Sequence, residues 1–213
     1  MNFKLPELLT QRLLEPLPGV QARARLAPSL SYGRHFGPPA HDARNAAVLL
    51  LLYPHDGDWR LPLTVRPQTM LAHAGQISLP GGMVEPGEST CDAALRELDE
   101  ELGIPSRDVV VLGALSPLYV FVSNFLVTPW VGSLAERPNM RPNPHEVDEV
   151  LEIPLGHFLD PANFGEHLFT RGELSFTVSH FRFGEHVIWG ATSVILSELL
   201  AVVEPLLKGE RLP

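Results

Sequence analysis

Apolar residues recur at helical spacing near the start of the chain, where Leu5, Leu8, Leu9, Leu13 and Leu14 fall within residues 2–16. That spacing predicts an amphipathic helix, ended by Pro16-Leu-Pro-Gly19. Residues 46–53, AAVLLLLY, are a short continuous apolar run, as expected of a strand covered on both faces. The turn His55-Asp-Gly-Asp58 follows, and residues 59–65 return as a second strand, making a hairpin. Residues 77–79 lead into Pro80-Gly81-Gly82, and further strands are predicted at 109–112, 119–122, 127–132, 174–183 and 186–189. A short helix is expected within 145–151 or 155–159, and a long one over 191–207 with Pro205 near its end. Residues 21–44 read as an irregular wrapping segment whose Arg23, Arg25, Arg34 and Arg44 are surface cations in preference to phosphate ligands. Residues 67–76 and the proline-rich 137–144 read as loops. Strands interleaved with a few helices suggest a mixed sheet between helical layers.

The densest pattern lies over residues 82–104, GMVEPGESTCDAALRELDEELGI. Pro86-Gly87 signals a turn, Ser89 is placed as an N-cap with Asp92 three residues on, and Gly103 is placed to close the helix before Pro105. Between those caps Cys91, Leu95, Leu98 and Leu102 share one face, with Ala94 beside them. Away from that face Glu97, Glu100 and Glu101 stand at i, i+3 and i+4, so their carboxylates converge within one turn. Arg96, four residues from both Asp92 and Glu100, offsets part of the repulsion. A cluster that stays net negative suits Mg²⁺ or Mn²⁺, which prefer carboxylate and carbonyl oxygen; clustered acids alone are more often a solvated helix face.

The stretch also resembles the Nudix box, G-x5-E-x7-R-E-U-x-E-E-x-G-U with U apolar, at Gly82, Glu88, Arg96, Glu97, Leu98, Glu100, Glu101, Gly103 and Ile104. With average residue usage, a chance match is on the order of one in a million. The resemblance implies an α/β fold, specifically an α/β/α sandwich with a mixed β-sheet, and an enzyme hydrolysing diphosphate bonds. It implies that Glu97, Glu100 and Glu101, with a carbonyl from Gly81 or Gly82, hold the metal, that Arg96 orients the carboxylates, and that Glu88 braces the loop. Metal-assisted attack of water on a diphosphate phosphorus is the mechanism that follows. Two glutamates are candidates for the general base, Glu100 and, from a later loop, Glu146 in Pro144-His-Glu-Val147.

Upstream, residues 63–82 read LTVRPQTMLAHAGQISLPGG. This is similar to the signature of the coenzyme A pyrophosphatase branch of the family at Leu63, Thr64, Arg66, His73, Gly75, Ile77, Pro80, Gly81 and Gly82. Ile188-Trp-Gly-Ala-Thr192 and Asn143-Pro-His-Glu-Val147 also look like that branch. The chain departs from it at Pro67, at Leu71, where a basic residue is usual, and at Leu79, where Phe is usual. Arg66 is suited to a bidentate phosphate contact, His73 to donating to one, and Gly75 to letting backbone approach a ligand. The implied reaction is cleavage of coenzyme A or acyl-coenzyme A to 3′,5′-ADP and 4′-phosphopantetheine. The alternatives are another nucleoside diphosphate derivative such as ADP-ribose or a dinucleotide, or a non-catalytic ligand-binding module.

Composition refines this picture only modestly. The 213 residues are 45% apolar and 19% charged, ordinary values for a globular chain. Residues 1–44 read as an N-terminal helix and wrapping extension, and 45–213 as the Nudix hydrolase domain. A formal net charge of −9 argues against a nucleic-acid partner, so a small-molecule anion would need local cations. No apolar run approaches the roughly 20 residues of a membrane span, and the start of the chain lacks a signal-peptide pattern. The single Cys91 excludes an internal disulfide and fits a cytoplasmic setting, and its place on the apolar face reads as packing. The scattered histidines show no zinc-like pairing. The apolar terminal helices leave two alternatives, cover for a monomer's core or a homodimer contact.

Overall fold

The computed structural model describes residues 4–27, 38–69, 75–171 and 174–209. The apolar run becomes the central strand β1 (Arg44–His55), and its side chains alternate between two cores. Ala47, Leu49, Leu51 and Tyr53 enter one, whereas Leu50 and Leu52 enter the other. A strand needed on both faces has no polar face to show, which is why its sequence does not alternate.

One side of β1 pairs in parallel with β7 (Phe125–Ser133) along most of its length. Its other side is shared. Near its start, Ala46–Val48 pair with β4 (Gly81–Met83); near its end, Tyr53–His55 pair with β2 (Asp58–Val65). The hairpin turn places Asp56 and Gly57 at φ 50° and 78°, the left-handed pair that a two-residue turn requires. Beyond Arg60, β2 turns instead to β8 (Glu149–Pro154), and its last residues also pair with β3 (Ile77–Ser78). Strands β5 (Val110–Ala114) and β6 (Leu118–Val120) complete the mixed sheet against β7.

Helix α3 (Thr90–Leu102) covers one face. The opposite core takes in α1 (Leu5–Leu13) through Leu5, Leu9 and Leu13, α4 (Leu155–Leu159) through Leu155 and Phe158, and α5 (Ala191–Lys208). Helix α5 is apolar nearly all round because it is buried nearly all round. The apolar faces of both terminal helices are thus covered within one chain. The expected α/β/α sandwich with a mixed sheet is what forms.

Several local expectations need correction. Residues 19–23 are a short helix, α2 (Gly19–Arg23), where an irregular segment was expected from residue 21. Arg23 is no surface cation: it is 5% exposed and paired with the fully buried Glu198 of α5. Arg34 lies outside the described residues. Leu14 falls just past α1 and is exposed. Of the two places for a short helix, 155–159 holds, while 149–154 is the strand β8. A separate antiparallel sheet of β9 (Phe164–Arg171), β10 (Leu174–Phe183) and β11 (His186–Ile188) adds a strand, β9, that the sequence pattern did not reveal.

Candidate active site

The candidate site forms where β2 parts from β1, and α3 carries most of it. The caps act as their residue types require. The Ser89 hydroxyl accepts from the Asp92 N–H at 3.1 Å, and Gly103, at φ 65°, donates to the Asp99 carbonyl. The buried face, however, is Ala94, Leu98 and Leu102 together with Ala93 and Glu101. Cys91 and Leu95 flank it half-buried, and burial pushes the Cys91 thiol up. Glu101 was expected away from the apolar face; it is 3% exposed.

Buried Glu101 has specific company. The Gly81 N–H donates to its carboxylate and Arg66 lies close enough to favour its ionised form. The Thr64 hydroxyl, itself held 3.1 Å from the Ser78 hydroxyl, donates to Glu101 Oε2 at 3.5 Å. Burial dominates nonetheless and, with the nearby negative charges of Glu97 and Glu146, pushes Glu101 up to about 8. Glu97 is also raised, chiefly by burial, with Arg96 opposing. One carboxylate oxygen from each of Glu97, Glu101 and Glu146 lies within 4.8 Å of the others.

Arg96 fastens the preceding loop to the helix. Its Nε and Nη2 donate to the two oxygens of Glu88 at 2.9 and 3.1 Å, and Nη2 also donates to the Met83 carbonyl at 3.0 Å. Nη1 donates at 2.9 Å to both Glu97 and Glu100. Those bonds hold the Glu88 carboxylate below its ordinary range, and the Glu88 carboxylate also accepts the Glu85 N–H. Glu100 is therefore turned to Arg96, half exposed, and is not part of the three-carboxylate group.

Glu146 reaches the cluster because residues 141–148 close the end of α3. A helix leaves its last carbonyls without partners, and here Arg141 N–H donates to the Leu102 carbonyl at 2.7 Å and Asn143 N–H to the Glu101 carbonyl at 2.9 Å. The Asp148 N–H then bonds the Val65 carbonyl at 2.8 Å, tying the segment to β2. Between these anchors the Asn143 side chain accepts from the His145 N–H and donates to Glu146, each at 3.1 Å. Sequence reasoning assigned no role to Asn143 or Ser78, although Asn-Pro-x-Glu is a recognisable turn signal.

The glycines are required by close approach. Gly81 has φ 156°, and a Cβ there would strike the β1 backbone at Ala47 and Val48. A Cβ on Gly82 would overlap the Glu97 carboxylate. Arg66 stands at the end of β2, half-buried, with its N–H bonded to the Gln76 carbonyl; Gly75, at φ 67°, donates back to the Arg66 carbonyl. His73 and Leu71 lie outside the described residues.

The donor set is oxygen-only, net negative and partly desolvated, and so fits a hard divalent cation. Two members of the set stand on the helix that follows the glycine loop, and the third on the segment that closes that helix's end. The NUDIX domain family model matches residues 43–172, more than half of the chain. An uncharacterized Nudix hydrolase, NudL, of Photorhabdus laumondii is 37% identical over 162 residues, covering 76% of this chain and 86% of its own. The mitochondrial coenzyme A diphosphatase NUDT8 of Homo sapiens is 34% identical over 203 residues, covering 93% of this chain and 78% of its own. In fold, the chain is similar to the M. smegmatis Nudix hydrolase RenU, with a TM-score of 0.53 at 18% identity over 80% of this chain and 90% of that one. The chain belongs to the Nudix hydrolase family. It is a hydrolase of phosphoric anhydride bonds, in a family that acts on small nucleotide derivatives and uses divalent metal. Among the described residues, no helix is long and apolar enough to cross a membrane.

Proposed function

We propose that the chain hydrolyses the diphosphate of coenzyme A or an acyl-coenzyme A to 3′,5′-ADP and 4′-phosphopantetheine, using Mg²⁺ or Mn²⁺. The observation that carries the reaction is the convergence of Glu97, Glu101 and Glu146 within 4.8 Å. The substrate rests on the residue 63–82 motif and on relatives named as coenzyme A diphosphatases at 34% identity and, in mouse, 33% identity. When bound, the cation neutralises the diphosphate and makes water easier to deprotonate. Glu97 and Glu101 would hold it, with the Gly81 carbonyl as a further oxygen ligand, while Glu100 steadies Arg96 from the solvent side. Glu146 accepts a proton as water oxygen bonds to phosphorus and the bond from phosphorus to the bridging oxygen breaks. Arg66 and the Gly75 backbone would meet a phosphate of the substrate, and the residue 63–82 motif adds His73 as a further donor.

A buried acid at about 8 gives this reading a pH signature. Below that pH, binding the cation releases the Glu101 proton, so apparent Mn²⁺ affinity should climb about tenfold per pH unit and level off near pH 8. Calorimetric titration at several pH values measures this, and a flat profile from pH 6 to 8 would remove Glu101 from the ligand set. Metal-free stability should run the other way. The unfolded chain ionises near 4.5 while the folded one keeps the proton to about 8, so this contribution fades as pH rises through that window.

The substrate assignment is tested by kcat/KM over coenzyme A, acyl-coenzyme A, ADP-ribose and a dinucleoside polyphosphate, with products identified by mass. Coenzyme A or an acyl derivative should rank first. A preference for ADP-ribose or the dinucleotide would leave the reaction standing and replace the substrate, while binding without turnover of any would mean a ligand-binding module.

A further inference from the structure

We infer that Asn143 is a positioning residue, holding the Glu146 carboxylate at the Glu97–Glu101 pair. This rests on the proposed role of Glu146 as the proton acceptor. The amide orientation is dictated by its neighbours. The His145 N–H is a donor and needs an acceptor, so Oδ1 faces it at 3.1 Å, and Nδ2 is left to donate to Glu146 Oε1 at 3.1 Å. An Asn that only formed a turn would need the first of these bonds and not the second.

The backbone of the same residue makes the placement rigid. The Asn143 N–H is bonded to the carbonyl of Glu101, and its own carbonyl accepts from the N–H groups of Glu146 at 3.0 Å and Val147 at 2.8 Å. Asn143 therefore grips Glu101 through one group, its N–H, and Glu146 through two, its carbonyl and its Nδ2. Glu146 needs such a grip. Left free, a carboxylate beside Glu97 and Glu101 would swing away from like charge into solvent. The Nδ2–H donor offsets that repulsion, and it occupies Oε1 without neutralising the acid.

Two substitutions separate holding from turn formation. Asn143→Ser keeps an oxygen to accept the His145 N–H but loses the reach to Glu146. Asn143→Asp keeps the turn acceptor and the size, and turns an acceptor toward Glu146 where a donor stood. Both should melt within a few degrees of wild type. The Ser variant should lose at least about tenfold in kcat and the Asp variant more, with KM for the substrate changed little. Glu146→Gln should lose activity on its own, and adding Asn143→Ser to it should cost nothing further. A crystal structure of metal-free Asn143→Ser should show the Glu146 carboxylate displaced from Glu101.

Asn143→Asp at the wild-type rate would overturn the inference in favour of a turn role, as would an additive loss in the double variant. Wild-type turnover by Glu146→Gln would instead overturn the assignment of Glu146 itself, and the positioning role with it.

Discussion

Replacing Glu101 with Gln should lower metal-dependent turnover about a thousandfold, the scale of losing one preorganised electrostatic contact in a buried site, and leave the fold intact. The side chain is 3% exposed and, without metal, holds its proton up to about pH 8. Gln therefore matches the state that burial already favours near neutral pH. It can still accept from the Gly81 N–H and the Thr64 hydroxyl, so its cost to the metal-free protein is small. What it cannot supply is the negative charge that appears when a cation displaces the proton. The loss should fall on kcat and on metal affinity together, and excess Mn²⁺ should recover only part of it. Steady-state rates across a metal titration, beside a melting curve, measure both. Near-normal turnover at ordinary Mg²⁺ would contradict the role given to this residue.

The largest stability effect belongs to a pair far from the cluster. Glu198 is fully buried on α5, and its carboxylate meets Arg23 of α2, the Ser116 hydroxyl at 2.6 Å and the Gly19 N–H at 3.1 Å. Arg23 also donates to the Pro117 carbonyl at 2.9 Å and to the carbonyl of Ser116. Arg23→Ala strands a buried carboxylate and should cost about 3–5 kcal/mol, measured by denaturant unfolding. The double variant Arg23→Met with Glu198→Met buries no charge and should be far less damaged than the sum of its single changes. A loss below about 1 kcal/mol for Arg23→Ala would mean that water, not Arg23, sustains Glu198. Turnover per folded molecule should not change, because neither residue reaches the cluster.

These two residues also mark the boundary of what the sequence made legible. Local signals translated well: the unbroken apolar run became the twice-covered β1, Asp56-Gly57 the hairpin turn, and Ser89 and Gly103 the two caps of α3. Glu97, Glu101 and Glu146 were singled out, and they meet. Burial of charge was not legible, because it is decided by partners distant in the chain. Glu101 could be read only as an acid on a helix until Thr64, Gly81 and Asn143 folded around it. Arg23 looked like a surface cation because its partner lies 175 positions away.

Weak strands failed for a related reason. Gly81-Gly-Met83 has no apolar pattern and becomes β4 only by pairing with β1. Residues 145–151 were one of two places read for a short helix, yet Glu149–Pro154 alternates along β8 with Leu151 and Ile153 inward. Glu100 was grouped with its neighbours by helical spacing, but Arg96 draws it outward at 2.9 Å. Residues 1–44 were expected to form an extension, and Leu5, Leu9, Leu13 and Leu26 pack in the same core as α5.

Anomalous diffraction from crystals soaked in Mn²⁺ tests the metal site most directly. Carboxylates brought within 4.8 Å of one another on Glu97, Glu101 and Glu146 should hold a peak at bonding distance from Glu97 and Glu101, and Glu101→Gln crystals should lose it. A peak elsewhere, or none at the cluster in protein that turns over substrate with Mn²⁺, would contradict the site.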